Sequence, residues 1–323
     1  MKDDRERELA PPPVPTLLPL GQLAAHHAAR DPERPAISFQ DVTLSYAELE
    51  ARANRKARQL IALGVGVGDV VTLGIPNSLE FYETVIAVWK AGATPNMVSP
   101  KLPPAELRAI VELAKPRLII GDANMRIDGW AYLSIGTAPG DAHSSEPLPP
   151  VVPPCRKIMT SGGSTGRPKL IVDGQPGVFD PNLIYLNMVP GDTTLNPGPL
   201  YHNAPFVFFL GTIATGGHVV EMGKFDALRA LDLIERHKVN WVNFVPTMMS
   251  RIWKLPEDQR NAFDLSSLKT VWHMASVCPS WLKEAWIDWL GPDRDPADKA
   301  WIAAQVPQGS ALLLHVDPAH DRL

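Results

Sequence analysis

Short apolar runs bounded by chain breakers limit what this chain can fold into. They fall at residues 70–75, 117–120, 218–222, 239–245 and 268–274. Runs of that length, apolar on both faces, are the pattern of strands buried in a parallel sheet. Helical spacings alternate with them, at 79–91, 105–114, 206–215, 226–237, 247–254 and 281–290. Parallel strands need a crossover, and a helix is the usual one. The alternation predicts an α/β fold: two α/β lobes with largely parallel sheets flanked by helices. Residues 17–30 also carry a helical spacing, and 36–44 read as a hairpin turning at Gln40 and Asp41. Ser45 followed by Glu48 is a capping box that starts a helix, and Gly64 ends it. The glycines from Gly64 to Gly68 precede a strand and lack the G-x-G-x-x-G spacing, so they read as a helix stop and turn.

Between two strand-like stretches lies Lys157-Ile158-Met159-Thr160-Ser161-Gly162-Gly163-Ser164-Thr165-Gly166-Arg167-Pro168-Lys169. Its glycines allow a close backbone approach and a nest of N–H groups around an anion. Ser161, Ser164 and Thr165 add rotatable donors, and Arg167 and Lys169 add positive charge. It is not a Walker A loop, because Gly166 is followed by Arg167-Pro168-Lys169. Composition alone would also suit a solvated linker. The order of residues favours a polyphosphate cradle.

The chain has 323 residues, a net charge of −4 and 45% hydrophobic content, which suit a sizeable core and give no support for a nucleic-acid surface. There is no run long enough to span a membrane, and the charged N-terminus lacks the core of a signal peptide. Cys155 and Cys278 are too few for a disulfide framework, which points to a reducing cytoplasm. Proline is abundant at 33 residues and clusters at 11–13 and 147–154, marking a stiff tail and a stiff connection. The expected division is a tail at 1–16, a first lobe at 17–150, a second lobe at 151–292 opening with the loop, and an atypical tail at 293–323.

Ser161 to Lys169 fits the pattern [ST]-[SG]-G-[ST]-[ST]-G-x-P-K, and so resembles the phosphate loop of the adenylate-forming (AMP-binding) superfamily, in its acyl-CoA synthetase branch. Pro199-Leu200-Tyr201-His202-Asn203-Ala204-Pro205-Phe206 resembles a second motif of that family, and Val245-Pro246-Thr247-Met248 a third. Met274-Ala275-Ser276-Val277-Cys278-Pro279 is similar to the family's G-G-A-P-L-P, with Val277 where proline is common. The resemblance covers residues 17–292 and implies the N-terminal domain of an acyl-CoA synthetase. It implies ATP, Mg2+ and CoA as cofactors and a small carboxylic acid, fatty or polycyclic, as substrate. Ser161, Gly162, Gly163, Ser164, Thr165, Gly166, Arg167 and Lys169 would hold the phosphates, with Thr165 also on Mg2+. Ala275, Ser276 and Val277 would pack on the adenine. His202 would orient the carboxylate. Tyr201, Phe206, Trp241, Val245, Thr247 and Met248 would line the acyl pocket, although periodicity alone also suits core for these and for Phe208 and Phe209. The 207–211 segment has no aspartate to bind a substrate amine, which argues against amino-acid activation.

Beyond Pro292 the family's aromatic-Gly-x-Thr-Glu motif does not follow. Residues 311–316 look like a strand without a partner. Three functions stay open: an acid–CoA ligase, a non-catalytic nucleotide-binding fragment, and one half of a split ligase. An exposed sheet edge would then favour self-association or a missing C-terminal half.

Overall fold

The computed structural model describes residues 16–140, 143–161, 168–291, 301–306 and 310–314. The expected N-terminal tail, apart from its last residue, and most of the loop, Gly162 to Arg167, lie outside the described residues. The chain opens with β1 (Leu18–Pro19), a 3-10 turn and α1 (Leu23–Ala28). The helix expected from residue 17 starts late because Leu18 and Pro19 are drawn into pairing with Phe179 and Val178. The hairpin forms from β2 (Pro35–Phe39) and β3 (Val42–Ser45), and Gln40 takes φ 55 at its turn. α2 (Tyr46–Ala62) begins at the capping box: Glu48 N donates to Ser45 Oγ at 3.2 Å, and Ser45 N donates to Glu48 Oε2 at 2.8 Å. Gly64 lies just past its end at φ 86, a conformation that glycine adopts at little cost.

The predicted alternation follows. β4 (Val70–Gly74), α3 (Leu79–Lys90), β5 (Thr94–Met97), α4 (Pro104–Ala114) and β6 (Leu118–Gly121) come first. β7 (Tyr132–Ser134), β8 (Ile158–Ser161), β9 (Lys169–Val172), β10 (Val178–Phe179) and β11 (Thr193–Asn196) are next. Then come α5 (Asn203–Ala214), β12 (His218–Glu221), α6 (Ala227–His237), β13 (Trp241–Asn243), α7 (Pro246–Trp253) and α8 (Glu257–Arg260). β14 (Thr270–His273), α9 (Ser280–Leu290), β15 (Trp301–Val306) and β16 (Ser310–Leu314) complete it.

One sheet has the order β7-β6-β4-β5-β8-β9, the other β16-β15-β14-β13-β11-β12-β2-β3. Both are largely parallel, with antiparallel pairs only at β8–β9, β15–β16 and β2–β3. The sheets do not divide the chain at residue 150. β8 and β9, which flank the loop, extend the first sheet, because Asn96 and Met97 of β5 pair with Ile158 and Met159. The N-terminal hairpin joins the second sheet, where Ile37 pairs with Val219. The stretch 121–154 is also more than a connection, since β7 adds to the edge of β6. Short-range pattern cannot reveal such exchanges, because strand pairing is decided by which apolar faces meet. The strand expected near the C-terminus exists and has a partner: β16 pairs with β15, which pairs with β14.

The main core lies between the lobes rather than inside either. α3 contributes Phe81, Tyr82 and Trp89, all inaccessible to solvent. Trp89 stacks on Phe209 of α5 with ring centroids 6.3 Å apart and meets Phe206 edge-on at 6.0 Å. Truncating a buried aromatic of this kind costs about 3–5 kcal/mol, so the aromatic cluster fastens the two sheets into one body.

Candidate functional site

β12, β11, β13 and β14 are neighbours and parallel, so they end on the same side of the second sheet. Ligands of open α/β sheets bind beyond such carboxyl ends. A cavity of about 550 Å3 lies there. Thr194, Asn196 and Asn243 line it from the strands, Phe208 and Phe209 from α5, and Val245, Met248 and Met274 from the segments that follow the strands. Both α5 and α7 aim their N-termini at this region, and Pro246 opens α7 without wasting an N–H group.

His202 is the N-cap residue of α5, extended at φ −93 and ψ 149, and its ring borders the cavity. The His202 backbone N–H donates to Pro199 O at 3.0 Å, while Tyr201 packs a ring against the imidazole with centroids 4.6 Å apart. Partial burial lowers the His202 pKa, so the neutral imidazole dominates at pH 7. Of the residues marked by resemblance, His202, Val245, Met248 and Ala275 meet around the cavity.

Others stand elsewhere. Phe206 is fully buried against Trp89 and Phe209 and does not line the cavity. Trp241 stands behind Phe208, with centroids 4.6 Å apart, and its Nε1 donates to Leu186 O at 2.9 Å. It backs the lining rather than forming it. Thr247, Ser276 and Val277 are exposed, Val277 at 84%. Ala275 follows β14 with φ 76, a left-handed conformation unusual for alanine.

Asn196 and Asn243 line the cavity without having been marked from sequence, and so do Asn203 and Met274, which fall inside two of the motifs but were given no role there. Glu221 was also overlooked. Its carboxylate is fully buried at the end of β12 and accepts four bonds. Asn77 Nδ2 at 2.9 Å and Gly223 N at 2.6 Å donate to Oε1; Asn196 Nδ2 at 2.6 Å and the Tyr82 hydroxyl at 2.5 Å donate to Oε2. Asn77 in turn donates to Gly198 O at 2.8 Å and accepts from Leu200 N at 2.9 Å. The network ties α3 to the turn that delivers His202. Burial raises the Glu221 pKa against the pull of these donors. A carboxylate inside the apolar run His218–Glu221 was the available signal.

The 161–169 loop begins and ends in adjacent strands: Ser161 pairs with Lys169, so β8 and β9 close it as a hairpin. Lys169 is exposed at its base. Gly162, Gly163, Ser164, Thr165, Gly166 and Arg167 lie outside the described residues. Among the described residues, no group of His, Cys, Asp and Glu could hold a metal ion, and no helix is long and apolar enough to cross a membrane.

Residues 24–296 match the family described as AMP-binding enzyme. The chain belongs to that family. Among relatives of this AMP-binding enzyme chain is a feruloyl-CoA synthase from Amycolatopsis sp, 30% identical over 280 residues that cover 83% of this chain and 57% of the relative. The 2,3-dihydroxybenzoate-AMP ligase of Bacillus subtilis (strain 168) is 30% identical over 285 residues, covering 78% and 51%. Pyochelin synthase PchD of Pseudomonas aeruginosa (strain UCBPP-PA14) is 30% identical over 288 residues, covering 76% and 50%. The chain spans about half the length of these curated relatives. In fold it resembles the inhibitor-bound N-terminal domain of FACL13 from Mycobacterium tuberculosis, with a TM-score of 0.76 at 21% identity over 92% of this chain and 79% of that one. Two largely parallel sheets flanked by helices are thus the N-terminal architecture of adenylate-forming enzymes.

Proposed function

We propose that this chain binds ATP and an apolar carboxylic acid and joins them as an acyl-adenylate, the first half of an acid–CoA ligase reaction. The observation that carries this reading is the placement of His202 at the rim of an otherwise largely apolar cavity, beyond the carboxyl ends of parallel strands. A carboxylate oxygen of the acid would attack the α-phosphorus of ATP, and the bond to the pyrophosphate oxygen would break. A neutral His202 can orient that carboxylate through a ring N–H without adding charge. The hydrophobic body would lie against Phe208, Val245 and Met248. A cavity of this volume suits a drug-sized acid of the fatty or polycyclic kind.

The 161–169 loop would hold the β- and γ-phosphates, with Lys169 at its base. The hairpin pairing of Ser161 with Lys169, and the glycines and hydroxyls between them, fit a polyphosphate. Thr165 would help hold Mg2+, which supplies charge neutralisation on the phosphates. Ala275, Ser276 and Val277, all exposed, would pack on the adenine. CoA would enter as thiol acceptor in a second half-reaction, with release of AMP. A cytoplasmic setting fits the two free cysteines. Ile171 and Val172, exposed on the edge strand β9, would favour self-association or a further chain.

The chain spans about half the length of relatives named as ligases and synthases, so adenylation is proposed for this segment, with binding without turnover as the alternative. ATP–pyrophosphate exchange separates the two. With fatty, aromatic and sterol acids and Mg2+, exchange that Lys169→Ala reduces supports adenylation. ATP binding with no exchange from a folded chain supports the binding module.

A further inference from the structure

The polar side chains of the cavity are not equally occupied. Thr194 Oγ1 bonds Thr212 Oγ1 at 2.9 Å, and Asn196 donates to Glu221 and to Gly198 O. His202 and Asn203 are exposed at the rim. Asn243 differs. It is only 6% exposed and lines the cavity, yet its Oδ1 accepts from nothing, and its amide nitrogen donates to nothing among the described residues. Its cross-strand partner is Trp272, on the same face of the sheet. Trp272 is 2% exposed, and its Nε1 also has no partner. One rung earlier on that face, Trp241 Nε1 is tied off by Leu186 O at 2.9 Å. The open donor and open acceptor therefore belong to one rung, the last of β13.

Burying two hydrogen-bonding groups unpaired is costly, and such exceptions call for an occupant. Each group lacks what the other has, but they do not bond one another. A hydroxyl in the cavity can donate to Asn243 Oδ1 and still accept through its own lone pairs, while Trp272, which does not itself line the cavity, stands behind the same rung. The rest of the lining is apolar, as at Phe208, Val245, Met248 and Met274, already bonded, as at Thr194 and Asn196, or exposed at the rim, as at His202 and Asn203.

Resting on the adenylation reading, we propose that the acid this cavity selects carries a hydroxyl on its apolar body, and that Asn243 is the specificity-determining residue, with Trp272 in support. A site built to bond a hydroxyl discriminates against the analogue without one far better than an apolar pocket discriminates between sizes.

The test uses the full chain and calorimetric binding of acyl-sulfamoyl adenosines in matched pairs. These are benzoyl with its 2-, 3- and 4-hydroxy derivatives, and cinnamoyl with 4-hydroxycinnamoyl. The expected result is that at least one hydroxylated member binds about 10- to 100-fold tighter than its parent. Asn243→Leu should erase that gap, and Trp272→Phe, behind the same rung, should narrow it. Equal binding within every pair of the wild type overturns the inference and leaves the adenylation reading standing. So does a hydroxyl preference that survives in a folded Asn243→Leu. Failure of every compound to bind overturns the adenylation reading, and this inference with it. The wild-type comparison needs no variant to fold.

Discussion

The two regions proposed to face a ligand are built in opposite ways. At the edge of the first sheet, the loop between β8 and β9 is defined by residue type: glycines, hydroxyls and a lysine on an antiparallel hairpin. At the carboxyl edge of the second sheet, the cavity is defined by packing. Its residues come from β11, β13, α5, α7 and the turn after β14, and few of them are unusual in type. A phosphate site needs backbone N–H groups and charge, which a short contiguous segment can supply. An acyl site needs a volume, which only the assembled fold can supply. Substitutions should therefore separate by region: at the loop they change ligand affinity and spare the fold, and at the cavity they change both.

The largest expected effect lies behind the cavity. Glu221→Ala strips two buried donors, on Tyr82 and Asn196, and two half-buried ones, on Asn77 and Gly223, of their acceptor. It should cost about 4 kcal/mol in urea unfolding, given the penalty for unpaired buried groups. Glu221→Gln keeps the shape but must turn an NH2 toward groups that donate, and should lose about 2 kcal/mol. If Glu221→Ala unfolds like the wild type, the network does not hold the His202 turn and the contrast between the regions fails.

Acid acts on the opposite edge of the second sheet. His218 opens β12 and bonds Ser38 Oγ at 2.8 Å, while His27 bonds Ala214 O at 3.0 Å. Burial holds both pKa values down at about 4. Unfolded, each ring would titrate near 6.5, so between those values the unfolded chain binds more protons and stability falls as the pH drops. A loss of about 2 kcal/mol from His218 is expected between roughly pH 6.5 and pH 4. Thermal unfolding across that range should show it, and His218→Asn should flatten the slope.

The strand–helix alternation was legible because each element satisfies a local rule. Ser45 and Glu48 cap α2, Gly64 stops it, and Pro246 opens α7. What stayed hidden depends on long-range pairing. Nothing near residue 158 announces that β8 will join β5, and nothing near residue 37 announces a partner at 219. The same limit explains the site residues. His202 and Met248 could be marked from motifs, whereas Phe206 shares the motif of His202 yet turns toward Trp89. Asn243 looked like one more position in an apolar strand, and only the cavity beside it makes its amide conspicuous.

The loop should answer to charge alone. Lys169 is exposed, so Lys169→Ala should leave stability within about 0.5 kcal/mol. Loss of its charge-assisted contact to phosphate should weaken ATP binding about tenfold. Equal affinity in the variant, read by calorimetry, would remove the lysine from the nucleotide site. A large loss of stability would show that the loop edge is built by packing after all.

The smallest effect sharpens the contrast most, because it falls where the two construction rules overlap. Ala275 lines the cavity with a side chain of ordinary type, but its backbone, at φ 76, has the geometry that a close-approach segment demands. A left-handed conformation costs an L-residue about 1–2 kcal/mol. Glycine would relieve that strain and give back part of it, about 0.4–1 kcal/mol, through the greater freedom of the unfolded chain. Ala275→Gly should thus stabilise the protein by about 0.5 kcal/mol, and Ala275→Val should destabilise it by more, since a β-branched residue tolerates positive φ poorly. Strain kept at a site helps to hold its geometry, so the stabler glycine variant should bind the acyl-sulfamoyl adenosines no better than wild type. Tighter binding by the glycine variant would mean that the alanine imposes a cost on recognition as well as on folding.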